Sequence, residues 1–95
     1  MCINWLLSAL TDIETILNDS AARDTLEARN VAARVAVTEQ NILAFPKAAY
    51  YNAEYDYYER YVPRTRVILV YRLTAKQIII VAAFHTSQSP HKKPH

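Results

Sequence analysis

Hydrophobic and polar positions alternate at the start of the chain and then change to a longer period. Ile3, Trp5 and Leu7 share one side of an extended segment, which predicts a short first strand. The next apolar positions recur every three or four residues, the period of an amphipathic helix: Leu10, Ile13, Ile16 and Leu17. A strand that leads directly into a helix is therefore predicted.

Polar residues indicate where this first helix begins and ends. Thr11 opens a sequence of capping-box form, and Ser8 is a rival N-cap one turn earlier. The Asn-Asp-Ser sequence at 18–20 predicts the break between two helices. Asp19 or Ser20 would cap the second helix there by accepting its first free N–H groups.

Residues 21–44 follow a helical period throughout. Their polar side chains form one stripe, which contains Arg23, Glu27, Asn30, Arg34, Thr38 and Asn41. The broad opposite face is apolar, and its alanines allow another element to approach closely. Pro46 ends the helix because the residue before a proline is disfavoured in the α conformation. We therefore expect two antiparallel helices joined by a short turn.

After Pro46 the period falls to two, which predicts strands. An extended segment covers 53–62, with Tyr57, Glu59 and Tyr61 on one side and Tyr58 and Arg60 on the other. Pro63 marks a bend. Two further strands are predicted at 66–73 and 78–85, joined through a connection at 74–77.

The last two predicted strands differ in their two faces. In strand 66–73, Val67, Leu69, Tyr71 and Leu73 share one face, and Arg66, Ile68, Val70 and Arg72 share the other. Strand 78–85 is apolar on both faces until His85, which predicts an interior strand covered on each side. The predicted fold is α+β with the order β-α-α-β-β-β, a helical hairpin packed on a small, mainly antiparallel sheet. Residues 1–90 form one domain, and we expect the basic tail 91–95 to be disordered.

The composition excludes several function classes through one absence. The 95 residues contain no glycine, whereas average usage would place about seven in a chain of this length. P-loops, dinucleotide-binding loops and serine-hydrolase elbows need glycine where the backbone turns with positive φ or touches a ligand. We therefore expect no nucleotide cofactor.

The cysteine content and the lengths of the apolar runs indicate the cellular compartment in which we expect the protein. Cys2 is the only cysteine, which excludes an intramolecular disulfide and the usual cysteine zinc sites. The apolar runs at 67–71 and 78–84 are far shorter than the roughly 20 residues of a membrane helix. No basic region of a signal peptide is present at the start. We expect a cytoplasmic protein without a bound metal or a membrane contact.

Charge is divided between the two halves of the chain. Residues 8–45 carry three arginines and six carboxylates, and residues 46–95 carry eight cations and three carboxylates. The net charge of +2 comes entirely from Lys92 and Lys93, because the other nine cations balance the nine carboxylates. A neutral body argues against broad binding to a phosphate backbone.

Three residues could support ribonuclease chemistry. Glu59 and His85 could act as base and acid at the 2′ and 5′ oxygens, and Arg66 could bind the phosphate. The alternative is structural: His85 would hydrogen-bond a neighbouring loop, and Arg66 would pair with Glu59 or Asp56. Such paired groups are more often structural than catalytic.

Six of the seven tyrosines lie close together in the sequence: Tyr50, Tyr51, Tyr55, Tyr57, Tyr58 and Tyr61. Aromatic side chains among cations can stack on nucleic-acid bases, but Glu54, Asp56 and Glu59 would repel phosphate. Tyrosine is also favoured in strands and at protein interfaces. We rank a protein interface first, strand packing second and nucleic acid third.

Several short sequences, taken in order, resemble the RelE/ParE superfamily of bacterial toxins from toxin–antitoxin modules. They are Ile3-x-Trp5, Ala9-Leu10-x-Asp12-Ile13-Glu14-x-Ile16, Leu43-x-x-Pro46, Glu59-x-x-x-Pro63, Val70-Tyr71-Arg72 and His85 with Pro90. The resemblance covers Ile3 to Pro90. The chain departs from the ParE-like pattern at positions where that pattern has glycine or arginine: Ala49, Tyr50, Tyr58, Ser87 and Gln88.

The resemblance implies a ParE-like toxin that inhibits growth by binding DNA gyrase, with a role in plasmid stabilisation. Its partner would be a cognate antitoxin, in a toxin–antitoxin hetero-oligomer. The partner-binding residues we predict are Arg64, Arg66, Arg72, Tyr50, Tyr58 and Tyr61. One alternative is a RelE-like endonuclease that cleaves mRNA on the ribosome through Arg66, His85 and Glu59. Another is an inactive relic that retains antitoxin binding.

Overall fold

The computed structural model describes residues 1–86. The predictions for the tail 91–95 and for Ser87, Gln88 and Pro90 lie outside these residues. Two helices and five strands are formed within the described range. Their bounds are β1 Cys2–Trp5, α1 Leu7–Arg23, α2 Thr25–Ala44, β2 Tyr50–Asn52, β3 Tyr57–Tyr61, β4 Val67–Leu73 and β5 Gln77–His85.

The strands form one sheet in the order β1-β5-β4-β3-β2. β1 lies parallel to β5, and the other neighbours are antiparallel. The α+β fold with a helical hairpin on a mainly antiparallel sheet is confirmed. β5 lies between two strands, as its apolar sequence predicts. Its burial is one-sided, however, since Ile78 and Ile80 are fully buried and Ile79 and Val81 are half-buried.

The structure adds one strand to the predicted order. The single extended segment predicted at 53–62 is wrong, because residues 53–56 form a turn between β2 and β3. Asp56 adopts a left-handed conformation with φ of 57°, and its carboxylate accepts a 2.7 Å hydrogen bond from the Tyr51 hydroxyl. Aspartate tolerates this conformation better than most residues, so the hairpin forms without glycine.

The predicted break between the helices is also wrong. α1 continues through 18–20, and Ser20 is only 3% exposed. The break lies at Asp24, whose extended backbone ends α1 and whose carboxylate accepts a 2.9 Å hydrogen bond from the Leu26 N–H. A carboxylate at this N-cap satisfies a free donor and also favours the positive end of α2.

Neither predicted N-cap of α1 has that role. The helix starts at Leu7, after Leu6, which makes no side-chain cap. Thr11 donates its hydroxyl to the Leu7 carbonyl one turn earlier. Ser8 donates to the carbonyl of Val81 in β5 at 3.1 Å, so it joins the helix to the sheet.

One face of the sheet carries the core, which the two helices cover. Its buried residues come from every layer: Ala9, Ile16, Val31, Val35, Ile42, Val62, Val67, Leu69, Tyr71, Ile78, Ile80 and Ala83. The predicted faces of strand β4 are confirmed, because Val67, Leu69 and Tyr71 belong to this cluster. Burial of these apolar side chains is the main favourable contribution to folding. No helix among residues 1–86 is long and apolar enough to cross a membrane.

A β-bulge interrupts the pairing of β4 with β5. Tyr71 lies opposite Ile80 and Val70 opposite Ala82, so Val81 is an extra residue in β5. Two side chains of α1 bind the backbone around it. Ser8 binds the Val81 carbonyl, and Asp12 accepts a 3.1 Å hydrogen bond from the Ala83 N–H. The bulge is therefore held by the helix next to it.

Candidate functional site

The face of the sheet turned away from the helices, here called the outer face, carries a mixture of aromatic, aliphatic and charged side chains. Cross-strand register assigns its residues, since paired residues point to the same side. Its members include Tyr50, Asn52, Tyr57, Glu59, Tyr61, Ile68, Val70, Arg72, Ile79 and Phe84. Tyr50 and Tyr61 are 66% and 48% exposed, whereas Ile68 and Val70 are buried between their neighbours. The outer face is thus an apolar centre with an exposed aromatic border.

Arg72 lies at one end of the outer face and is held over an aromatic ring. Its guanidinium carbon is 5.1 Å from the centroid of the Tyr57 ring. The Tyr57 ring in turn stacks on Tyr55, with centroids 6.2 Å apart. A cation over a ring face is attracted to its π electrons. This contact fixes the direction of a positive charge without neutralising it.

Tyr58 lies on the opposite, helix-facing side. Its ring is between Tyr51 and Tyr71, with centroids 4.9 Å and 5.5 Å away, and it packs against the core. Among the tyrosines predicted to bind a partner, Tyr50 and Tyr61 are therefore exposed on the outer face, whereas Tyr58 is part of a packed aromatic row.

This aromatic row holds the loop between α2 and β2. The Tyr71 hydroxyl donates to the Pro46 carbonyl at 2.8 Å, and Arg60 donates to the Ala48 carbonyl at 2.8 Å. Burial raises the pKa of the Tyr71 hydroxyl, and the nearby Arg60 partly opposes that shift. The hydroxyl therefore stays protonated as a donor to the loop.

Ala49 occupies a place where the ParE-like pattern has glycine, and its backbone does not need one. Among residues 1–86, only Asp56 and Arg64 have positive φ. Glycine is favoured where φ is positive or where a ligand touches the backbone, and neither the backbone conformation nor the hydrogen bonds of this loop call for it. The loop therefore forms with alanine at position 49.

His85 lies in a cleft between α1 and the end of β5. The cleft has a volume of about 440 Å³ and is lined by Asp12, Thr15, Ile16, Asp19, Arg23, Ala83, Phe84 and His85. It exists because β1 pairs only with residues 77–80, so the second half of β5 has no strand beside it on that edge within the described chain. His85 thus belongs to the helix-facing side.

The three residues predicted for ribonuclease chemistry do not converge. Glu59 lies opposite Val70, and His85 lies opposite Val67. Val67 and Val70 point to opposite sides of β4, so Glu59 and His85 are on different faces. The bulge at Val81 is the reason. With regular alternation, His85 would lie on the outer side with Glu59, and the extra residue reverses it.

Arg66 and Arg64 lie in the connection before β4, and both are exposed. The Arg66 carbonyl accepts a 2.7 Å hydrogen bond from the Thr86 N–H, which extends the pairing of β4 and β5 by one residue. Alternation from Val67 directs Arg66 towards the outer side. Of the ribonuclease residues, Arg66 and Glu59 therefore share a side and His85 does not.

Sequence reasoning missed the parts of this arrangement that depend on pairing between strands. The sequence did not predict that Phe84 lies on the outer face or that the Asp12 side chain binds the backbone at the bulge. The apolar run of β5 contains no residue that indicates the bulge. In α1, however, the polar residues Ser8 and Asp12 lie one turn apart, and this spacing could have indicated that α1 binds the backbone of a strand. No group of three or more histidine, cysteine or acidic residues is placed to hold a metal ion within residues 1–86.

The comparisons with known proteins give one matching family model and a similar solved fold. The family model that matches is described as the ParE toxin of the type II toxin–antitoxin system, parDE, and it covers residues 3–90. A similar solved structure is described as the chromosomal ParDE toxin–antitoxin system from P. aeruginosa. It has a TM-score of 0.77 at 15% identity, over 90% of this chain and 95% of that chain. No curated protein matches. The chain belongs to the ParE toxin family of type II toxin–antitoxin systems.

Proposed function

We propose that this protein is a toxin that arrests growth in the cytoplasm by binding a protein target, DNA gyrase, and that a cognate antitoxin neutralises it in a hetero-oligomer. The observation that carries the proposal is the family match over residues 3–90. In this proposal, the outer face of the sheet is the surface that contacts the target. Gyrase is the target implied by the resemblance to ParE-like toxins, and the experiment below tests it directly.

The side chains of the outer face suit a protein partner. Tyrosine and arginine are the residue types that most often dominate binding energy at interfaces. Tyr50 and Tyr61 are exposed there, and Arg72 is held over Tyr57. A carboxylate, Glu59, lies in the same row as Tyr50 and would repel phosphate. This combination favours a protein over a nucleic acid.

Binding is favoured over ribonuclease catalysis because the candidate acid and base are separated. General acid–base cleavage needs both groups within hydrogen-bond reach of one phosphodiester. Glu59 and His85 lie on different faces of the sheet. A single substrate strand on the outer face could approach Glu59 and Arg66 but not His85.

Purified protein added to gyrase in a DNA supercoiling assay tests the target. We expect inhibition by the natural protein and at least about tenfold weaker inhibition by Arg72→Ala, because arginine is among the residue types that most often dominate binding energy at an interface. Lys76→Ala is the matched control, since Lys76 is an exposed cation in the adjacent β4–β5 turn. It should inhibit like the natural protein.

Expression in cells distinguishes the other hypotheses. Growth arrest without supercoiling inhibition, together with mRNA cleavage on ribosomes that His85→Ala abolishes, would replace gyrase binding by the endonuclease. Absence of arrest in cells that lack the antitoxin would identify an inactive relic. We expect growth arrest that is relieved when a cognate antitoxin is co-expressed.

A further inference from the structure

The hairpin of β2 and β3 brings a phenol and a carboxylate into direct contact. The Tyr51 hydroxyl donates to the Asp56 carboxylate at 2.7 Å, which is the short distance of a hydrogen bond to an ionised acceptor. The backbone of Asp56 lies in the left-handed region, with φ of 57°, and Tyr51 pairs with Tyr58 across the hairpin. Tyr51 is 44% exposed. The hairpin therefore holds the two groups together at the surface of the molecule.

This contact determines what happens to the Tyr51 proton during oxidation. The hydrogen bond to Asp56 is the main reason that the pKa of the Tyr51 hydroxyl lies above its usual value, so the phenol is not ionised near neutral pH. Loss of one electron makes a phenol a far stronger acid. A carboxylate within hydrogen-bond reach can then accept the proton. Electron and proton therefore leave Tyr51 together.

Tyr51 is also the exposed end of the aromatic row. Its ring centroid is 4.9 Å from that of Tyr58, and the Tyr58 centroid is 5.5 Å from that of Tyr71, which are distances of rings in contact. An electron vacancy passes readily between such rings and is trapped where a proton is lost. The Tyr71 hydroxyl donates to the Pro46 carbonyl, which is a much weaker base than a carboxylate. Oxidation within the row is therefore directed to Tyr51.

Tyr55 is the competing tyrosine in this turn. It is 58% exposed, and a hydrogen bond with Glu54 raises the pKa of its hydroxyl. Its ring stacks on Tyr57 with centroids 6.2 Å apart, so it lies outside the aromatic row. Tyr51 combines a carboxylate partner with ring contacts to the row, and this combination distinguishes it from Tyr55.

We propose that Tyr51 and Asp56 form a redox site for a one-electron oxidant of the haem-peroxidase class, and that its product is a covalent dimer of this chain joined through Tyr51. The oxidant takes one electron from Tyr51, the O–H bond breaks, and Asp56 receives the proton. Two Tyr51 radicals then form a carbon–carbon bond between their rings, and the two displaced ring hydrogens restore the hydroxyl groups. Asp56 returns its proton to solvent. In sum, two chains and one hydrogen peroxide give one dimer and two water molecules.

The position of Tyr51 in the sheet allows two copies to meet there. β2 is the last strand of the sheet, so the Tyr51 ring of a second copy can approach from that edge. Tyr51 lies on the helix-facing side with Tyr58, whereas its neighbour Tyr50 lies on the outer face. The redox site is thus separate from the surface proposed to bind the target, and the inference does not rest on the proposed function.

Treatment of the purified protein with a haem peroxidase and hydrogen peroxide tests the proposal. Dityrosine fluorescence measures the rate of crosslinking, and peptide mapping locates the crosslink. We expect a dimer joined through Tyr51, formed at least about tenfold more slowly by Asp56→Asn, because an amide accepts the hydrogen bond but not the proton. Asparagine tolerates the left-handed conformation as aspartate does, so the turn is kept. Glu54→Gln removes the neighbouring carboxylate of the same turn and is the matched control, which should react like the natural protein.

Tyr51→Phe keeps the ring but should lose most of the dimer. Crosslinks of the natural protein that map to Tyr50, Tyr55 or Tyr61 would overturn the proposal, and so would a natural rate in a folded Asp56→Asn variant. The natural protein supplies a further test that needs no substitution. Its crosslinking should be slower in deuterium oxide than in water, because the proton moves with the electron. Equal rates in the two solvents would contradict the role of Asp56.

Discussion

The two faces of the sheet are built from the same strands but differ in what they do. On the helix-facing side, Leu69 and Ile80 are fully buried. Polar side chains there bind backbone groups: the Tyr71 hydroxyl donates to the Pro46 carbonyl, and the Asp12 carboxylate accepts from the Ala83 N–H. On the outer side, Tyr50 and Tyr61 remain exposed and Arg72 rests on a ring. The helix-facing side therefore provides most of the stability, whereas the outer side carries the exposed residues that we propose bind a partner.

Leu69→Ala should cause the largest loss of stability. Leu69 is fully buried at the centre of the sheet, and a leucine-to-alanine change in a core costs about 2–5 kcal/mol. Chemical denaturation measures it. Tyr50→Ala, on the outer face, should change the unfolding free energy by less than about 0.5 kcal/mol. Equal losses for the two variants would remove the distinction between the faces.

Tyr71→Phe should have the next largest effect. The change keeps the ring that stacks on Tyr58 but leaves the Pro46 carbonyl without its donor. We expect a loss of about 1–2 kcal/mol in unfolding free energy. Tyr51→Phe removes an exposed hydrogen bond and is the matched control, which should differ little from the natural protein.

Asp12→Ala tests the link between α1 and the β-bulge. The variant removes the acceptor for the Ala83 N–H, and we expect a loss of about 1 kcal/mol. Hydrogen exchange at the Ala83 amide should become faster, whereas Thr15→Ala, on the same helix, should leave it unchanged. An unchanged exchange rate in Asp12→Ala would show that the bulge does not depend on the helix.

Alkaline pH should lower the stability of the folded protein through the buried Tyr71 hydroxyl, with a smaller effect than the substitutions above. Burial raises its pKa in the folded state, so the folded protein holds the proton more tightly than the unfolded chain. Stability is therefore fully present below the unfolded pKa of about 10 and falls as the pH rises above it. Melting temperatures between pH 8 and 11 should fall less in Tyr71→Phe than in the natural protein.

The local period of the sequence was enough to predict the faces of β4 and the order of most elements. Alternation places Val67, Leu69 and Tyr71 together because a strand repeats every two residues. It could not predict β2, since the turn at 53–56 uses Asp56 in a conformation normally marked by glycine. It also misplaced the helix break, because packing buries Ser20 inside α1 while Asp24 provides a better cap.

The candidate site was harder to predict because it depends on register between strands. Tyr50, Tyr61 and Arg72 are predicted to bind a partner from residue type together with the family resemblance, and the structure places them on the outer face. His85 was selected for its chemistry, and the extra residue Val81 directs it into the cleft beside α1. No local pattern in an apolar strand indicates a bulge of this kind.

The most direct test of the division between the two faces is to measure whether the Tyr61→Ala variant arrests growth, in comparison with the natural protein at equal expression. Tyr61 lies on the outer face and is 48% exposed. The account predicts that the variant melts within a few degrees of the natural protein but no longer arrests growth in cells that lack the antitoxin. A variant that folds and still arrests growth as strongly as the natural protein would contradict it.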